Sequence, residues 1–156
     1  MKTQKISFLF LMTIFAFGPV NLKATEMKLK SFETDGCTMF ADGTNTSPTL
    51  WKHCCTEHDL RYWFGGSTPD LDATDLRLKA CVLKVAGENW AMLIYNGVRA
   101  GHYSPIKNKF QWNWGWSVKR EKTPLTEAEI DYVKIELRKL KVAGINIDDF
   151  INVNFP

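Results

Sequence analysis

Beyond its first two dozen residues the 156-residue chain has no segment apolar enough to cross a bilayer, and it has neither an internal repeat nor a low-complexity tract. Those absences exclude a polytopic membrane protein and a repeat array as organising principles. One apolar run exists, Ile6 to Phe17. Lys2 and Lys5 precede it and Leu22-Lys23-Ala24 follows it. A positive start, a short apolar middle and a small residue at the cut describe a secretory signal peptide, and the run is shorter than the roughly 18 residues a spanning helix needs. The expectation is a signal peptide over residues 1–24 and one domain over 25–156, against the other reading of an uncleaved N-terminal anchor. The exported chain would be secreted or periplasmic.

An excess of one charge is also missing. The chain has 20 Lys and Arg against 17 Asp and Glu, and three of the basic residues, Lys2, Lys5 and Lys23, fall in the first 24 positions with no acid beside them. The remaining 17 basic groups balance 17 acidic ones. Net charge therefore supplies no argument for a nucleic-acid partner or an anionic surface. Cysteine is scarce but even in number: Cys37, Cys54, Cys55 and Cys81, all inside the expected domain. In an exported small domain this reads as two disulfides, for which three pairings exist. Adjacent cysteines on a helix point about 100° apart, so Cys54 and Cys55 most easily reach different partners, Cys37 and Cys81.

Residues 25–50 are dense in turn formers, with Asp35-Gly36-Cys37, Asp42-Gly43-Thr44 and Asn45-Thr46-Ser47-Pro48. Ser47 or a neighbour is placed to cap a helix with Pro48 in its first turn, running to about Phe64 and stopping at Gly65-Gly66. Ser67-Thr68-Pro69-Asp70 restarts a helical pattern carrying Leu71, Leu76, Leu78, Val82 and Val85, interrupted at Gly87 and continued with a bend from about Asn89 to Arg99. Phe110, Trp112, Trp114 and Trp116 alternate with polar or small residues, a period of two that predicts a strand. That stripe suits the buried face of a hairpin, or else insertion among lipid headgroups. Thr126 and Glu129 predict a capping box before a helix through about Lys141, with Ile130, Val133, Leu137 and Leu140 as its packing face. The tail from Ile145 is too mixed to assign.

The chemistry concentrates in Cys54-Cys55-Thr56-Glu57-His58-Asp59-Leu60-Arg61-Tyr62. On a helix Cys55, His58, Asp59 and Tyr62 fall at i, i+3, i+4 and i+7 and share a face. A cystine, an imidazole, a carboxylate and a phenol make a poor packing face and a reasonable site. Imidazole titrates nearest neutrality, as a general base must, and an adjacent carboxylate suits a hard cation such as calcium. If Cys54 pairs with Cys81 and the two helices are antiparallel, His58 and Asp75 lie roughly 6 and 9 Å beyond the bridge in the same direction, and Tyr62 at about 12 Å brackets Asp75. The remaining pair, Cys37 to Cys55, would pin the loop from Gly36 to Gly43 against the same helix. In an extended loop the carbonyls of Gly36, Thr38 and Phe40 face one way, a natural ligand trio, with Asp35 and Asp42 offering further oxygens.

The run Cys54-Cys55-x-x-His58-Asp59 followed by Tyr62, with Asp75 six residues before Cys81 and Cys37 at the place of a calcium-loop cysteine, resembles the active-site region of secreted phospholipases A2, in the sparse two-disulfide form of bacterial members. The resemblance covers about residues 36–82. It implies a mainly α fold: two antiparallel disulfide-linked helices carrying the site, a small β element and a C-terminal helix. It also implies calcium-dependent hydrolysis of the sn-2 ester of a glycerophospholipid in membranes or micelles. His58 would activate water, Asp75 would orient the imidazole and Tyr62 would bond that carboxylate. Asp59 and the loop carbonyls would hold Ca2+. No obligate protein partner is evident.

Blander readings exist. His58 as a structural core histidine conflicts with the Asp59, Tyr62 and Asp75 register, and zinc on Cys37, Cys54, Cys55 and His53 or His58 conflicts with adjacent cysteines in an oxidising compartment. His53 and His102 show no partner in the sequence. The rival function is a phospholipase-like domain that binds lipid or a protein without turnover, because the centre of its 36–43 loop is not glycine-rich.

Overall fold

The computed structural model describes residues 28–103 and 109–156. The expected signal peptide, residues 1–24, lies outside the described residues. The described chain is mainly helical, with α1 Lys52–Phe64, α2 Thr68–Ala86, α3 Glu88–Tyr103, α4 Glu127–Arg138 and α5 Ile147–Asn154.

α1 begins four residues later than expected. Ser47 and Thr44 pair with each other main chain to main chain, and Leu50 N–H closes a turn onto Ser47 O, so the chain at Ser47 is a turn and the helix starts after it. Trp51 occupies the cap position instead, with its amide on Asp42 O and its indole N–H on Ala41 O at 2.7 Å. The other end stops where expected. Gly65 has φ 67° and Gly66 φ 147°, values that L side chains rarely adopt, and Gly65 N–H caps Arg61 O.

α2 starts with a reciprocal capping box between Ser67 and Asp70 and ends at Gly87, with φ 82°. The chain then reverses. Glu88 at the start of α3 meets Lys79 late in α2, while Arg99 near the end of α3 reaches Asp72 and Asp75 early in α2. α2 and α3 form a helical hairpin where the sequence pattern suggested one bent helix. α4 carries the expected Thr126–Glu129 capping box, with Val133 and Leu137 fully buried. α5, in the unassigned tail, is capped by Asn146 and buries Phe150 and Ile151.

The aromatic strand is not formed. Among the described residues β structure is limited to isolated bridges, Leu29 with Trp116 and Thr44 with Ser47. The reason is where the donors go. Asn113 N–H bonds Tyr62 O, Gly115 N–H bonds Trp63 O, Trp116 Nε1 bonds Phe64 O and Trp112 Nε1 bonds Gly66 O. These carbonyls at the C-terminal end of α1 have no helical partner of their own. The segment wraps the helix end as a cap, and Asn113 takes φ 70°, which breaks the alternation an extended strand requires.

Two apolar clusters meet at α1. Its first half, with Trp51, Cys54 and Cys55, packs against Leu78, Val82 and Ile94 of α2 and α3. Its second half, with Leu60, Trp63 and Phe64, packs against Trp116, Leu137 and Phe150 of the C-terminal part. His58 sits between the two.

Candidate active site

All four cysteines are in disulfides, Cys37–Cys55 and Cys54–Cys81, with Cα separations of 5.1 and 5.7 Å. This is the arrangement in which the two adjacent cysteines take different partners, and it leaves no thiolate for zinc. His53, partnerless in the sequence, lies against the Cys54–Cys81 bridge, its Nε2 3.4 and 3.6 Å from the two sulfurs.

From Cys54 to His58 the chain advances along α1, while their partners step back along α2 from Cys81 to Asp75. His58 Nε2 bonds Asp75 Oδ1 at 2.9 Å, and Tyr62 Oη donates to the same oxygen at 2.8 Å. Asp75 is fully buried. Burial by itself raises its pKa, but the hydrogen bonds from His58 and Tyr62 outweigh it and hold the carboxyl below its ordinary value. Asp75 is therefore the anion of the pair. His58 moves down from 6.5, chiefly through burial, with Asp75 opposing. Its Nε2 carries the proton toward Asp75, so Nδ1 is left as the lone pair of a neutral imidazole.

That nitrogen lies 4.0 Å from Asp59 Oδ1. Asp59 is treated differently from Asp75. It accepts a hydrogen bond from Thr34 Oγ1 at 2.6 Å, yet burial and the nearby charges of Asp35 and Asp42 push its pKa up to about 7. Among the described residues no Lys or Arg pairs with Asp59, and a buried carboxyl of this kind is the type of oxygen donor that a hard divalent ion takes.

The loop that was expected to supply carbonyls is turned, not extended. Phe40 N–H closes onto Cys37 O at 2.8 Å, with Met39 at φ 61°, so the strict alternation of Gly36, Thr38 and Phe40 carbonyls does not hold across this turn. Among the described residues no hydrogen-bond donor reaches those three oxygens. The flanking acids are engaged within the loop. Asp42 takes Cys37 N–H at 2.8 Å and Lys52 at 3.4 Å, and Asp35 takes Thr38 Oγ1 at 2.8 Å.

Three groups at the site were not assigned to it from the sequence. His102 Nε2 lies 2.6 Å from Tyr62 Oη and 3.4 Å from Asp75 Oδ2. Arg99 donates to Asp75 Oδ2 at 3.1 Å and also holds Asp72. Trp112 sets its ring edge-on to Tyr62, centroids 5.0 Å apart. Arg99 and His102 are spaced i, i+3 on α3, a shared face that only becomes visible once α3 folds back on α2. Trp116 is buried and Trp112 and Trp114 are half-buried, so the stripe packs as protein interior and rim. Comparisons with protein-family models, with curated proteins and with solved structures found no match to this chain.

Proposed function

We propose that the protein is an exported hydrolase that cleaves the sn-2 acyl ester of glycerophospholipids in a calcium-dependent reaction. The observation that carries this reading is the buried His58–Asp75 hydrogen bond, which leaves Nδ1 of His58 as a neutral base beside a second, unneutralised carboxylate, Asp59. A base alone would fit many hydrolases. A base flanked by one carboxylate that orients it and one fitted to a cation suits attack of water on an ester that carries its own phosphate.

In the reaction His58 Nδ1 takes a proton from water as the oxygen attacks the ester carbonyl. Asp75 stabilises the imidazolium that forms, and Tyr62 fixes Asp75. His58 then returns the proton to the leaving lysophospholipid oxygen. Asp59 would hold Ca2+, with those main-chain oxygens of the 36–40 turn that face it as further ligands, and the ion would supply a Lewis acid for the ester and phosphate oxygens. The reading is supported by the two disulfides, which join α1, with His58 and Asp59, to α2, with Asp75, and to the 36–43 loop.

A second reading is favoured by one observation: Asp35 and Asp42 are already engaged inside the loop, and Asp59 accepts Thr34 Oγ1, so among the described residues no carboxylate beside the loop is without a partner. On that reading the domain binds lipid or a protein partner without turnover. Fatty-acid release from mixed micelles, measured with calcium and with chelator, separates the two. Calcium-dependent release in the wild type, lost by at least about 100-fold in His58→Gln, supports hydrolysis. Equal traces from both proteins give the binding module precedence.

A further inference from the structure

The geometry points to His102 as a positioning residue of this site, acting through Tyr62 to direct a one-way chain of hydrogen bonds onto Asp75. The inference rests on the hydrolytic reading for its consequence but on proton counting for its form.

A tyrosine hydroxyl has one proton to give. Tyr62 Oη stands 2.8 Å from Asp75 Oδ1 and 2.6 Å from His102 Nε2. Two oxygens at 2.8 Å with no proton between them repel, and the Asp75 carboxylate has none to offer, because it is held ionised. The phenol proton is therefore committed to Asp75. The phenol oxygen is left with lone pairs only, and at 2.6 Å it needs a donor from His102. Nε2 of His102 must carry the ring proton. The chain then has one sense: His102 Nε2–H to Tyr62 Oη, Tyr62 Oη–H to Asp75 Oδ1, with His58 Nε2–H arriving on the same oxygen.

The charged and titratable groups around His102 agree with a neutral ring. Burial lowers its pKa most, Asp75 of α2 opposes this, and Arg99 of α3, Lys122 and His58 of α1 reinforce it. Arg99 occupies Asp75 Oδ2 from the same helix and is itself held by Asp72. α3 thereby closes the side of the carboxylate that α1 does not reach. With all its partners assigned, Asp75 cannot turn away from His58. Without His102 the phenol oxygen loses its own donor and the contact that holds the ring in place, so Tyr62 fixes Asp75 less firmly.

The test uses the whole exported chain, wild type and two variants. Long-range nitrogen–proton correlation of the imidazoles at pH 7.5 in chelator should find His102 as the Nε2–H tautomer. It should also find a Tyr62 hydroxyl proton protected from exchange, present in His102→Gln and absent in His102→Phe. In the micelle assay His102→Phe should lower kcat roughly 10-fold with KM within about twofold, and His102→Gln, which keeps an N–H for the phenol, should recover most of the loss. An Nδ1–H tautomer overturns the chain outright. A phenylalanine variant with wild-type kcat, or a glutamine variant as poor as the phenylalanine one, overturns the positioning role. If the wild type shows no calcium-dependent release while the tautomer and the protected hydroxyl are found, the hydrolytic reading fails and the wiring stands.

Discussion

Replacing Asp59 by Asn should stabilise the calcium-free protein, and the size of the effect follows from the site. Asp59 is buried, accepts Thr34 Oγ1, and has its pKa pushed up to about 7 from 3.8 by burial and by Asp35 and Asp42. The folded-state value lies above the unfolded one, so between pH 4 and 7 the folded chain binds more protons than the unfolded chain. By linkage the stability contributed by the protonated carboxyl is full below about pH 4 and is lost as pH rises to about 7. A shift of roughly 3 units at about 1.4 kcal/mol each is on the order of 4 kcal/mol. Asn has nearly the same shape, keeps an oxygen for Thr34 and carries no charge. In chelator the variant should therefore exceed the wild type by about 4 kcal/mol at pH 8, a rise of roughly 10 °C in Tm, and match it at pH 4. Calcium should raise the Tm of the wild type and leave that of the variant unmoved. Calorimetric melts at pH 4, 6 and 8, with chelator and with calcium, read all of this. A variant less stable than wild type at pH 8 in chelator, or a difference that does not change with pH, would refute the claim that this carboxylate lacks a counter-charge in the fold.

Two further predictions concern the base and its frame. Cys81→Ser opens a bridge between residues 27 apart in sequence, which should cost about 3–4 kcal/mol on chain-entropy grounds and lower kcat more than KM, since it releases His58 from Asp75; an unchanged melting temperature would contradict this. On the acid side, kcat/KM for ester release should fall with a midpoint below 6.5, because burial lowers the His58 pKa and the protonated ring cannot accept a proton; a midpoint above 7 would mean that Asp75 dominates the titration instead.

What the sequence made legible is what short-range periodicity and cysteine arithmetic encode. Gly65-Gly66 marks the end of α1 because positive φ is needed there, and Thr126 with Glu129 marks the start of α4 because the two residues satisfy each other's backbone donors. The face shared by Cys55, His58, Asp59 and Tyr62 follows from helical spacing alone. The aromatic segment misled for a reason that spacing does not contain. Its alternation is real, but the N–H groups that would have paired with a strand are claimed by the carbonyl ends of α1, a long-range bond between residues some 50 apart. α3 was misjudged in the same way. Gly87 permits either a bend or a reversal, and the choice is made by packing of α3 on α2 and by Arg99 reaching Asp75, neither of which leaves a local mark. His102 was invisible because its partner lies 40 residues away. α5 was missed although Asn146, accepting from the amides of Asp148 and Asp149, is an ordinary capping signal in a short segment.

The two carboxylates flanking His58 make the strongest internal argument about the site. Both are buried, and both lie within 4 Å of an imidazole nitrogen. Asp75 receives bonds from His58, Tyr62 and Arg99, with His102 at 3.4 Å, and is ionised as a result. Asp59 receives one neutral hydroxyl and is surrounded by acids, so its charge is opposed by its own protein. A packing role would be served better by neutral residues at both places, since burying an uncompensated carboxyl costs several kcal/mol. A general base needing only orientation would be served by Asp75 alone. The pair makes sense together when one carboxylate is neutralised from inside, by the residues that steer the base, and the other awaits a charge from outside. On the proposed reading that division gives the proton chemistry to Nδ1, the nitrogen that faces Asp59 and not Asp75. On the same reading, removing the charge at Asp59 should relieve the fold and end calcium-dependent turnover.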